Sequence, residues 1–128
     1  MSINRFQGTA IGRNRCVEHA GIVYAVATGP GDDIKSQTWN TLLHLDESLE
    51  MAKSDKTRIL QAQIFLADLA QKAEMDEVWN NWIGPDWQNW PQRACVGASL
   101  TPGTFVEIGS HNPRISAGAS GFGSNVST

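Results

Sequence analysis

The longest regular pattern in the chain runs through Ile34, Thr38, Leu42, Leu45, Leu49 and Ala52. The steps between these apolar or near-apolar positions are four, four, three, four and three, which is one face of an α-helix. Asp32 and Asp33 stand just before it and supply an N-cap. The helix is expected to end near Lys53-Ser54-Asp55. Upstream, Ile22-Val23-Tyr24-Ala25-Val26-Ala27 is a continuous apolar run closed by the breakers Thr28-Gly29-Pro30-Gly31, and it predicts a strand. Residues 3–8 and 15–19 predict two shorter strands. Residues 57–66 alternate: Leu60, Ala62, Ile64 and Leu66 point one way, while Gln61, Gln63 and Phe65 point the other. Asp68 then caps an expected second helix over 69–83, with Met75, Val78, Trp79 and Trp82 inward and Gly84-Pro85 as its stop.

After a loop over 85–92 that carries Trp87 and Trp90, the alternation returns. Residues 93–108 read as two strands around a turn at Pro102-Gly103. The element order is therefore β-β-β-α-β-α-β-β. It predicts an α+β domain: a mixed sheet with two helices on one face. The glutamines on the other sheet face suggest a polar surface covered by a partner subunit. Residues 109–128 are rich in Gly, Ser and Asn and read as a tail outside a single domain of residues 1–108, with Ile115 and Phe122 able to pin it.

A chain of 128 residues suits one domain with one core. The 41% hydrophobic content is that of an ordinary folded domain. Net charge is −3 and no Lys/Arg run exists, which argues against a dedicated nucleic-acid binder. No apolar stretch is long enough to cross a bilayer, and the N-terminal residues lack a signal-peptide core, so a cytoplasmic location is expected. Cys16 and Cys95 fit reduced thiols there. His19, His44 and His111 are scattered without metal-ligand spacing, and no metal site is expected.

Chemistry concentrates in the segment from Arg93 to Glu107. Its alternation predicts Ala94, Val96, Ala98 and Leu100 on the core side and Arg93, Cys95, Gly97 and Ser99 on the other. A three-residue loop with Gly103 left-handed pairs Leu100 with Val106 and brings Glu107 opposite Ser99, on the face of Arg93. An arginine fork offers two parallel donors to a carboxylate. A nearby carboxylate can place water. An interface ion pair is the plainer reading of the same two residues. Cys95 has no base at useful spacing and is given no covalent role.

At these residues the chain resembles the Rid family of reactive imine/enamine deaminases, also called the YjgF or L-PSP endoribonuclease-like family. The resemblance is ordered along residues 3–108. It runs through His19-Ala20-Gly21-Ile22-Val23-Tyr24, Asp33-Ile34-Lys35-Ser36-Gln37-Thr38 and Ile64-Phe65-Leu66-Ala67-Asp68. Met75-Asp76-Glu77-Val78-Trp79, Pro91-Gln92-Arg93-Ala94-Cys95-Val96 and Val106-Glu107-Ile108 continue it. It implies a chorismate-mutase-like fold and a homotrimer with ligand clefts between subunits. It implies hydrolysis of short 2-imino or enamine acids, such as 2-aminoacrylate, to 2-keto acids and ammonia, without a cofactor. Arg93 would grip the substrate carboxylate and Glu107 would place water, with Cys95, Val26 and Ala27 lining the pocket.

The chain departs from the family pattern in four places, one of them a turn before Glu107 that is one residue shorter than in many members. Gly12-Arg13-Asn14-Arg15 stands where many members carry a tyrosine. Val26-Ala27 stands where many carry Ser-Gly or Thr-Gly, with Thr28-Gly29 two residues later. Gly109-Ser110-His111-Asn112-Pro113 stands where the family's last strand continues past the glutamate. These departures bear on turnover more than on anion binding. The alternatives are a non-catalytic trimer that binds small carboxylates and, behind it, an endoribonuclease or translation inhibitor.

Overall fold

The computed structural model describes residues 2–115. Phe122 and the rest of the expected tail from residue 116 lie outside the described residues. The strands are β1 (Ile3–Gln7), β2 (Asn14–His19), β3 (Ile22–Ala27), β4 (Gln61–Leu66), β5 (Gln92–Gly97) and β6 (Val106–Pro113). The helices are α1 (Ile34–Met51) and α2 (Lys72–Ile83). This is the element order that the hydrophobic pattern predicts. The six strands form one mixed sheet in the order β1-β2-β3-β6-β4-β5. All neighbours are antiparallel except β4 and β5, which run parallel because α2 is the crossover between them.

The helices take their ends from the residues that the sequence marks. Asp33 caps α1 by accepting from the backbone N–H of Ser36 at 2.8 Å, and the Ser36 hydroxyl closes the reciprocal bond of a capping box. Asp68 caps a short 3-10 turn over Leu69–Gln71, and α2 follows it directly. All six residues of the Ile34–Ala52 stripe are buried, with Leu42, Leu45 and Leu49 at 0% exposure. They pack on Val23, Ala25, Ala62, Ile64, Leu66, Val106 and Ile108, the helix-side residues of β3, β4 and β6. Met75, Trp79 and Trp82 of α2 complete this core, with Val78 half-buried beside it. Burying one such aliphatic side chain is worth about 1.5–3 kcal/mol, so the layer between α1 and the sheet carries much of the stability.

Among the described residues, no element covers the opposite sheet face. Tyr24, Val26 and Val96 are each nearly half exposed on it. Beside them, Tyr24 of β3 meets His111 of β6 edge to face, with ring centroids 5.0 Å apart. A concavity of about 360 Å³ lies among Val17, Tyr24, Val26, Gln61, Gln63, Phe65 and His111.

Four expectations are corrected. The expected 57–66 strand begins only at Gln61, because Lys56–Arg58 form a 3-10 turn capped by Asp55, and Leu60 is exposed. The expected hairpin between the last two strands does not form. β5 is an edge strand, β6 inserts between β3 and β4, and residues 98–105 cross the end of β4. Ala98 N–H donates to Leu66 O and Ala67 N–H to Phe105 O across that crossing. Gly103 does take the left-handed conformation expected of it, with φ of 87°, but in a turn within this crossover. The domain limit at residue 108 falls inside β6. Gly109 to Pro113 continue the strand and pair with Val26 to Ile22. Their alternation is hidden in sequence because Ser110 and Asn112 fill the helix-side positions, both fully buried.

The fourth correction concerns faces. Arg93 sits beside Ala62 in the parallel ladder, and Ala62 faces the helices; Arg93 and Cys95 therefore face the helices too. Ala94 and Val96 take the uncovered face. Glu107 sits beside Phe65 and so lies on that uncovered side. Arg93 and Glu107 do not share a face within one chain.

Candidate functional site

Arg93 stands on the edge strand with its guanidinium carbon 5.3 Å from the ring centre of Trp79 on α2. One amino group, Nη2, donates to Asp76 Oδ1 at 2.7 Å. The second oxygen of Asp76 accepts from Lys72 Nζ, also at 2.7 Å, one helical turn away. The aromatic support and the ion pair explain why an arginine can turn toward the helix layer: its stem packs and its charge is matched. The N–H groups on Nε and Nη1 donate to no residue among those described. Burial opposes ionisation of Asp76, but hydrogen bonds from Lys72 and Arg93 outweigh it and hold the carboxyl below its usual range.

Cys95 lies two residues further along on the same side, half-buried. Burial raises its thiol pKa, and the nearby Arg93 and Lys72 charges only partly offset this. The thiol is not activated, in keeping with the absence of a covalent role. Cys16, fully buried, is raised by burial in the same way. Both cysteines are free thiols.

Glu107 belongs to a second, larger cavity of about 750 Å³. Val26, Ala27 and Thr28 at the end of β3 line it, with residues 7–10 and 13–15, His44, Thr101 and Thr104. Val26 and Ala27 both line it, although adjacent strand residues point to opposite faces and only Val26 is exposed. Glu107 makes no ion pair among the described residues. His44 closes one wall through a 2.8 Å hydrogen bond between its Nδ1 and Thr28 O.

Arg13, Arg15, His44 and Thr104 escape sequence reasoning as residues of this cavity. Arg15 has a specific cause. β1 pairs Phe6 with Cys16 and Gln7 with Asn14, so Arg15 is the extra residue of a β-bulge. The bulge turns its side chain onto α1, where Nε donates to Ser48 Oγ at 3.1 Å and Nη2 meets Glu47 at 3.3 Å. No signal in a single sequence marks such a bulge. Thr28 was visible as a hydroxyl near the end of the strand.

Gln37 also escaped notice, although it holds the site's backbone. Its side chain is 2% exposed. Its amide nitrogen donates to Gly103 O at 3.0 Å and to Gly31 O at 3.3 Å. Its oxygen accepts from Val106 N–H at 3.2 Å and, in a shorter bond, from Phe105 N–H. One buried amide thus ties α1 to the loop after β3 and to the crossover that delivers Glu107. Gly29 permits the same approach, since a Cβ there would lie 2.6 Å from the backbone of Asn40 and Thr41.

A six-stranded mixed sheet, backed on one side by two helices, defines a small α+β protein of the chorismate-mutase-like type. The chain belongs to the family whose model is described as Endoribonuclease L-PSP, which residues 1–110 match. It is 37% identical over 109 residues to a RutC family protein of Haemophilus ducreyi, covering 82% of this chain and 86% of that one. It is 45% identical over 77 residues to the RutC family protein YoaB of Escherichia coli, covering 59% of this chain and 66% of that one. Among solved structures, a YjgF-family member from Neisseria meningitidis superposes with a TM-score of 0.85 at 32% identity. That match covers 91% of this chain and 98% of the other. No described helix is long and apolar enough to cross a membrane.

Proposed function

We propose that the chain is a homotrimeric deaminase that hydrolyses short 2-imino or enamine acids to 2-keto acids and ammonia. Arg93 binds the substrate carboxylate and Glu107 positions the attacking water. The observation that carries this reading is the Arg93 guanidinium: fixed over Trp79, tied by one amino group, and with its other donors free at a sheet edge. A planar fork so held can take a carboxylate bidentately. Membership of the family supports the reaction class.

Arg93 and Glu107 face opposite sides of one sheet, so a single chain cannot close the site around one small ligand. A neighbouring copy resolves this: its Glu107 cavity would face the Arg93 edge of the first chain. The uncovered face with Tyr24, Val26, Gln61, Gln63 and Val96 favours such an assembly. The iminium carbon of the substrate is already electrophilic, so anchoring, orientation and water delivery suffice for chemistry. No cofactor or metal enters the step. Val26, Ala27 and Cys95 would line the pocket rather than react.

The test generates 2-iminopropanoate enzymatically and follows ammonia or pyruvate release with the wild type and Arg93→Ala. Acceleration by the wild type and none by the variant is expected; equal rates at the no-protein background would remove the deaminase reading. Light scattering should give a trimer mass, and a monomer would remove the shared cleft. The replacement of the family's tyrosine by the Gly12–Arg15 stretch favours a second reading, a carboxylate-binding trimer without turnover. It would show keto-acid binding that depends on Arg93 and no release of ammonia. RNA cleavage, which the family's description names, is opposed by the net charge of −3 and the lack of a basic run.

A further inference from the structure

Arg93 already holds a carboxylate. Asp76 binds its Nη2 at 2.7 Å, and Lys72 binds the other Asp76 oxygen at the same distance. Three charged groups thus form a chain from the first turn of α2 to the edge strand. The carboxyl and guanidinium are both about three-quarters buried, so the pair is not a loose surface contact. Its orientation is set from two sides: Trp79 supports the guanidinium plane and Asp76 fixes one end of it. Asp76 and Trp79 are three residues apart on α2 and therefore face the same way.

We infer that Asp76 is a positioning and affinity-setting residue for the carboxylate-binding arginine. This rests on the reading of Arg93 given above. Asp76 does two separable things. Its oxygen, as a hydrogen-bond acceptor, takes Nη2 and leaves Nε and Nη1 without an acceptor among the described residues. Its negative charge repels an incoming carboxylate that must share the same cation. Binding is thereby held weaker than an unpaired arginine would allow, which lets a 2-keto acid product leave. The ligand class selected is a monoanionic small carboxylate able to use the free donors alone.

Two substitutions separate the roles. Asp76→Asn keeps an acceptor for Arg93 and removes the charge. Asp76→Ala removes both. Calorimetric titration with pyruvate, a stable keto acid, should show roughly three- to tenfold tighter binding for Asp76→Asn than for the wild type at low salt. That range is the size of one like charge a few ångströms away with screening close to that of bulk water. The gain should shrink at high salt. Asp76→Ala should bind several-fold more weakly than Asp76→Asn, because the guanidinium is no longer aimed. A residue that merely supported the fold would weaken binding in both variants, and thermal melts of each variant report that directly. Asp76→Asn binding no tighter than the wild type, or the two variants binding alike, would overturn the inference while leaving Arg93 as the anchor. Arg93→Ala binding pyruvate as the wild type does, or a wild type that does not bind it, would overturn both.

Discussion

Replacing Gln37 by leucine should destabilise the protein by about 3 kcal/mol. The substitution preserves side-chain bulk and removes an amide that makes four hydrogen bonds to backbone groups of two other segments. An orphaned buried polar group costs about 1–3 kcal/mol. The four are not equal. Val106 is wholly buried, so its N–H has no access to water, and Phe105 N–H lies beside it. Gly103 sits in an exposed turn where water can replace the amide, and the Gly31 bond at 3.3 Å is long. Two effective orphans at the middle of the range, less a small gain from leucine's apolar surface, give the figure. Urea unfolding at fixed protomer concentration measures it, because an oligomer's stability depends on concentration. For a domain of this size the midpoint of thermal unfolding should fall by about 10 °C. The same variant should lose imino-acid hydrolysis beyond what its folded fraction explains, since the crossover that delivers Glu107 loses its anchor. A loss below about 1 kcal/mol would refute the claim that these bonds are shielded from water.

Two further outcomes follow from the charged and thiol groups. Asp76 has a folded-state pKa below its ordinary 3.8, so its stabilising contribution is complete above that value and disappears as pH falls through the lower folded pKa. Asp76→Asn should therefore flatten the acid limb of the stability–pH curve below about pH 4 and leave the shape above pH 6 unchanged; an unchanged acid limb would contradict the depressed pKa. At pH 7.5, Cys95 should react with iodoacetamide more slowly than a cysteine in the denatured chain, and Cys16, at 2% exposure, more slowly still. Native Cys95 reacting faster than the denatured thiol would reveal an activated thiolate.

The parts of the fold legible in the sequence are those where one face meets one environment. α1 has a buried stripe and a solvated back, so its periodicity is clean. Ala62, Ile64 and Leu66 alternate against Gln61, Gln63 and Phe65 for the same reason. β5 misleads because neither face obeys that rule. Its helix side holds an arginine made tolerable by Trp79 and Asp76, and its uncovered side holds Ala94 and Val96. Hydrophobicity then assigns both faces backwards. The same inversion misplaces β6. A hairpin was the shortest connection that put Arg93 and Glu107 on one face, and nothing local to residues 98–105 announces a crossover past β4 instead. What receives that crossover is the buried Gln37, 66 residues before Gly103.

This inversion alters the chemistry to be expected, beyond the geometry. On one shared face, Arg93 and Glu107 would meet one common environment within a single chain. On opposite faces they are independent. Glu107 has no ion-pair partner among the described residues, while Arg93 is matched by Asp76, a residue the sequence offered only as part of a family-like run. Under the proposed function, Arg93 and Glu107 can then meet only across two copies of the chain. Each is tuned by its own surroundings: the arginine by α2, the glutamate by the Gln37-anchored crossover. Substitutions at Asp76 and at Gln37 should accordingly act on different quantities, ligand affinity for the first and the delivery of Glu107 for the second. Their effects on ligand binding should add when the two are combined, since they share no contact.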